Sequence, residues 1–133
     1  MIFIDTGAFI ARYVVRDHFH KEALRSWEKL AKKKHKLFTS NFVLDELITL
    51  LARKTDYAFS VQRAESIFAS QILTILRPQA EDEIAALRVF KKYADQEMSY
   101  TDCVSFVLME KNKIHQTFSY DQHFKLAGFT LWS

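Results

Sequence analysis

Met1-Ile-Phe-Ile-Asp5-Thr-Gly-Ala-Phe9 is the stretch that decides the fold. Three bulky apolar residues follow one another without alternation and end in a carboxylate, after which the pattern becomes helical. A strand that is apolar on both faces belongs in a sheet covered on both sides. In open parallel sheets, ligands bind beyond the carboxyl ends of the strands. Residues 2–5 therefore read as a buried strand carrying Asp5 at its functional end, with a helix over 8–15 after it.

Working outward, apolar spacing predicts a helix over 17–34, with Ala23, Trp27, Leu30 and Ala31 on one stripe. A strand at 37–39 follows, and Thr39, Ser40 and Asn41 are each acceptable caps for a helix over 42–53. Further helices are expected at 57–69, 101–110 and 122–127, with strands at 72–76, 115–119 and 129–132. Pro78 is expected at the first position of an acid-started helix reaching about residue 94. This alternation predicts one α/β domain over 1–133, a three-layer α/β/α sandwich with a short-stranded, mainly parallel central sheet.

Composition narrows the class. The 133 residues are 49% hydrophobic and include 12 Phe, enough for a real core, and 2 Gly with 1 Pro leave little room for long irregular loops. The lone Cys103 lies in an apolar helical run and reads as a packed thiol in a reducing compartment. No apolar run approaches the ~20 residues of a membrane helix, and no secretory leader is evident, so a cytoplasmic protein is expected. Residues 1–36 hold nine Lys/Arg against four Asp/Glu, whereas the remainder holds ten against twelve. The densest basic run is Lys32, Lys33, Lys34 and Lys36, around His35. It reads either as a solvated helix end or as a contact for a nucleic-acid backbone, with Arg12 and Arg16 as alternatives for that role.

Four acids stand among apolar neighbours, where a lone carboxylate is normally paired, hydrogen-bonded or bound to a cation. Asp5 ends the first strand. Glu46 has Phe42, Val43 and Leu50 one turn away, whereas its neighbour Asp45 has Asn41 and Thr49 and reads as a surface acid. Asp102 occupies the third position of a capping box begun by Ser99, and Asp121 follows the fourth strand. Each also has a purely structural reading: a turn or cap for Asp5 and Asp121, a capping box for Asp102, an exposed flank paired with Arg53 for Glu46. One divalent cation would compensate all four. The five His include no zinc-ligand spacing, oxygen-only donors suit Mg2+ or Mn2+, and no phosphate-binding glycine loop occurs. A haloacid-dehalogenase phosphatase would need a second Asp where Gly7 stands.

Taken together, Ile2-Phe-Ile-Asp5-Thr-Gly-Ala-Phe9, Thr39-Ser-Asn-Phe-Val-Leu-Asp-Glu46, Ser99-Tyr-Thr-Asp102-Cys-Val-Ser-Phe106 and Phe118-Ser-Tyr-Asp121-Gln-His-Phe124 resemble the PIN-domain family. More narrowly they resemble its short VapC-type toxin ribonucleases. The resemblance implies that Asp5, Glu46, Asp102 and Asp121 form an acidic quartet around Mg2+ or Mn2+ and hydrolyse RNA, with Thr6 and Thr101 as supporting polar groups. It also implies a homodimer and an antitoxin protein that blocks the site. Gly7 departs from the hydroxyl residue many members carry. A housekeeping RNA-maturation nuclease and a noncatalytic RNA-binding domain remain open alternatives at this point.

Overall fold

A computed structural model describes residues 1–133. Five strands, β1 (Ile2–Ile4), β2 (Leu37–Ser40), β3 (Leu73–Leu76), β4 (Gln116–Phe118) and β5 (Thr130–Leu131), form one sheet in the order β3-β2-β1-β4-β5. Every neighbouring pair is parallel. The helices are α1 (Thr6–Tyr13), α2 (His20–Lys33), α3 (Asn41–Lys54), α4 (Tyr57–Ala69), α5 (Ala80–Lys92), α6 (Tyr100–Lys111) and α7 (His123–Leu126). Ile2, Phe3 and Ile4 are all fully buried although successive side chains point to opposite faces, so helices cover both sides of β1. The expected three-layer architecture is the one observed. Its core unites 25 buried apolar residues from the sheet and both helical layers. No helix is long and apolar enough to cross a membrane.

Local chemistry moves several boundaries. The Asp17 carboxylate accepts from the Phe19 amide at 2.9 Å and makes a turn, which delays α2 to His20. The α5 helix starts at Ala80 with Gln79 as its cap residue, and the Gln79 amide donates to Asp82 Oδ2 at 2.8 Å. Pro78 therefore precedes the cap and does not occupy the first helical position. Ser40 is the cap chosen among the three candidates before α3, its hydroxyl accepting from the Val43 amide at 3.1 Å. Cys103 is fully buried, and desolvation pushes its thiol up to about 11, which makes it inert at neutral pH.

This topology aims particular residues at one edge. β1 and β4 lie side by side with Ile4 opposite Phe118, so Asp5 and the segment 119–121 leave the sheet together. The Asp5 amide extends that ladder by donating to the Phe118 carbonyl at 3.1 Å. At the same edge β2 ends in Ser40 and feeds α3, which carries Glu46.

Candidate metal centre

Asp5, Glu46, Asp102 and Asp121 all line one cavity of about 610 Å3. The structure thus brings together residues up to 116 positions apart in the chain. Asp45 is exposed and Glu46 half-buried, as their different helical neighbours predict. Arg53 makes no ion pair with Glu46.

Asp5 has cap-position backbone before α1, yet its side chain makes no capping bond to the helix. The carboxylate turns instead to β4, where the Ser119 hydroxyl donates to Asp5 Oδ2 at 2.8 Å. Ser119 is itself held by the Asp121 amide, which donates to Ser119 Oγ at 3.0 Å. Asp121 Oδ1 accepts from the His123 amide at 2.9 Å, closing an Asx-type turn. Asp102 is fixed by the predicted capping box: its amide donates to Ser99 Oγ at 3.0 Å, and its Oδ2 accepts from the Ser99 amide at 3.3 Å. Each aspartate thus engages one carboxylate oxygen in these bonds, and the second is left for a ligand.

The electrostatics are those of a buried acid cluster. Burial raises Asp5 from 3.8 to about 7, and the charges of Asp102 and, less strongly, Asp121 add to the rise. The Ser119 hydroxyl and the Thr6 backbone act in the opposite direction. Asp102 is also raised, by burial first and then by the charge of Asp121, with a smaller push from Glu46. Such mutual repulsion marks a place where a cation would be stabilised. The donors suit one, being oxygen-rich and partly free. Thr6 adds a buried hydroxyl on the cavity wall that has no hydrogen-bond partner.

Three further residues serve the site that the sequence alone did not single out: His123 and Lys54 line the cavity, and Ser119 stands behind Asp5. Ser119 is buried at 5% exposure beside Asp5; the clue available was that a buried acid on β1 needs a donor, but pairing it with Ser119 requires the strand order. His123 Nδ1 lies 3.0 Å from Asp121 Oδ1 and 3.8 Å from Asp102 Oδ2, and it makes no hydrogen bond. One ligand atom each from Asp102, Asp121 and His123 falls within 4.8 Å of the others, so this trio can hold an ion. Lys54 also lines the cavity, bringing a cation to the acidic rim.

Other expected residues lie elsewhere. Thr101 is half-buried and does not line the cavity. Lys32, Lys33, Lys34 and Lys36 are exposed at the end of α2 and the entry to β2, hence at the amino edge of the sheet, opposite the acids. A Cβ added at Gly7 would meet no heavy atom within 4 Å, so no crowding accounts for the missing hydroxyl residue.

A family model described as PIN domain matches residues 2–129. The chain is 33% identical over 129 residues to a Mycobacterium tuberculosis protein named 23S rRNA-specific endonuclease VapC20, covering 97% of this chain and 95% of that one. It is 35% identical over 125 residues to a VapC ribonuclease of Archaeoglobus fulgidus, covering 92% and 78%. The crystal structure of M. tuberculosis VapC20, described as a sarcin-ricin loop cleaving toxin, superposes with a TM-score of 0.89 at 32% identity, covering 98% of this chain and 97% of that one.

Proposed function

The chain belongs to the PIN-domain family, and on that premise we propose that it is a divalent-metal-dependent endoribonuclease acting as the toxin of a toxin-antitoxin pair. The observation that carries the proposal is the convergence of Asp5, Glu46, Asp102 and Asp121 on one cavity, with the pKa of Asp5 and Asp102 raised by burial and by the charge of the neighbouring acids. These four residues would hold Mg2+ or Mn2+, with His123 beside Asp102 and Asp121 as a nitrogen neighbour. When bound, such an ion supplies charge neutralisation at the scissile phosphate and a more acidic water for the attack.

The chain's own groups do the positioning. Ser119 fixes the Asp5 carboxylate and favours its ionised form, because its hydroxyl donates to the charge. The capping box holds Asp102 in one direction at the start of α6. Glu46 brings a further carboxylate to the cavity from a half-buried face of α3. Lys54 offers its ammonium to substrate phosphate at the rim. The lysines at the amino edge of the sheet are available only to an RNA long enough to reach around the molecule.

Similarity to VapC20 makes large-subunit ribosomal RNA the first substrate to test and an antitoxin the expected partner. Purified protein incubated with total RNA and Mg2+ or Mn2+, followed by mapping of new 5′ ends, tests the reading. Discrete cuts that vanish in chelator support it. RNA left whole at saturating metal contradicts it.

A further inference from the structure

Away from the acids, Arg12 and Arg63 both approach the ring of Tyr13. The Arg12 guanidinium lies 5.5 Å from the Tyr13 centroid and 4.5 Å from that of Trp27. The Arg63 guanidinium lies 5.3 Å from Tyr13 and 5.0 Å from Phe59. Neither arginine takes part in an ion pair. Arg63 Nε is in addition buried without an acceptor. A desolvated donor with no partner is unfavourable, and two cations near one ring repel each other.

Both arginines line a groove of about 280 Å3 between α1, α2 and α4, together with Tyr13, Trp27, Ser66 and Ser70. No acidic residue lines it. Guanidiniums lying over aromatic faces keep their N–H edges for planar anions, which they bind in bidentate fashion. Aromatic walls accept nucleobases regardless of sequence.

We propose that this groove is a second RNA-binding site, in which Arg12 and Arg63 hold phosphates of a single strand whose neighbouring bases pack on the aromatic wall. The proposal rests on the ribonuclease reading, because it extends the path of the same substrate. Arg12 lies six residues beyond Thr6 on α1, roughly 9 Å along the helix axis from the acid cavity. Arg16, three residues past the end of α1, donates to the Lys54 carbonyl at 2.9 Å, and the Lys54 residue lines that cavity. In the other direction the groove includes Leu37, which directly follows the exposed lysine run. Positive charge therefore continues on both sides of the groove. A nucleic-acid strand presents phosphates along that whole path, whereas a lone acidic side chain of a protein partner would satisfy one guanidinium.

The test is fluorescence anisotropy of a labelled 12-nucleotide polyuridine RNA with the full chain in EDTA, comparing wild type with Arg12→Gln/Arg63→Gln. Affinity should fall roughly tenfold at low salt, and the slope of log K against log salt should become shallower by about 1.4, at about 0.7 per phosphate contact. Arg12→Lys/Arg63→Lys should restore the slope, since the charges return, and only part of the affinity, since the planar forks do not. In a Trp132→Phe background, Trp27 is the sole tryptophan and its emission should change on adding RNA. Equal affinity and slope in wild type and the Gln variant overturn the groove and leave the nuclease reading intact. Tight binding through the arginines, with total RNA left whole once metal is restored, overturns the nuclease reading and keeps the groove. A polyglutamate peptide captured more tightly than RNA, and lost in the Gln variant, assigns the groove to a protein and overturns the RNA assignment. No binding of polyuridine by wild type overturns the groove and leaves the nuclease reading to the cleavage assay.

Discussion

Replacing Asp5 with Asn should stabilise the metal-free protein at alkaline pH, because the native fold holds an ionised Asp5 at a cost. The carboxyl titrates at 3.8 in an unfolded chain and at about 7 in the fold, where burial dominates the rise and Asp102 reinforces it. Between those values the native state keeps a proton that the unfolded state has released, so stability falls as pH rises through the window. At about 1.4 kcal/mol per pH unit the full loss reaches roughly 4 kcal/mol, of which about 3 kcal/mol falls between pH 5 and 8. Asn has a similar shape and an oxygen that can still accept from Ser119, but it carries no titrating charge. Urea unfolding of wild type and Asp5→Asn in EDTA at both pH values reads Asp5 together with its coupling to Asp102 and Asp121, since contributions of distant groups cancel in the difference of differences. Wild type should lose on the order of 3 kcal/mol more than the variant from pH 5 to 8. Parallel pH dependence in the two proteins would refute the reasoning.

Other consequences can be checked with few variants. Glu46→Gln should lower RNA cleavage by roughly a hundredfold or more, whereas Asp45→Asn should leave it within about twofold; single-turnover rates at saturating metal distinguish them. Mg2+ or Mn2+ should raise the melting temperature of wild type through binding to the native state, and the gain should be smaller in Asp102→Asn; equal gains by scanning calorimetry would remove Asp102 from the ligand set. Ser119→Ala deletes a hydroxyl that favours ionised Asp5, so the acidic limb of the rate–pH profile should move to higher pH, and an unmoved limb would show that this hydrogen bond does not tune the site. Gly7→Ala, in the first turn of α1 with open space around the added methyl, should stabilise the fold by about 0.5–1 kcal/mol in urea unfolding, and an unchanged or lower midpoint would show that the glycine is needed there.

The sequence carried most of the architecture because short, doubly buried strands and amphipathic helices write their period locally. The four acids were legible for a related reason: each interrupts an apolar pattern, and helical phase alone separated Glu46 from Asp45. What local pattern could not supply was contact between distant segments. Ser119 reads as an ordinary strand-end hydroxyl until β4 is placed beside β1, and its partner Asp5 is 114 residues away. The arginine groove is of the same kind, since Arg12 and Arg63 come from α1 and α4 and share Tyr13 only in the folded chain. Charge counting located the lysine run but not its side of the sheet, which depends on where α2 returns to β2. Pro78 was misplaced by two residues because the Gln79 amide found an acceptor in Asp82, setting the helix start there.

In the proposed mechanism these four carboxylates hold a divalent ion for cleavage of RNA. Titrating Mn2+ into chelator-stripped wild type and Asp5→Asn, while following both bound Mn2+ by electron paramagnetic resonance and cleavage of a ribosomal RNA fragment, tests it most directly. Cleavage by wild type should rise in step with bound metal, and Asp5→Asn should bind Mn2+ far more weakly and leave the RNA intact at matched concentrations. Cleavage by stripped wild type in excess chelator, or undiminished metal binding and cleavage by Asp5→Asn, would contradict it.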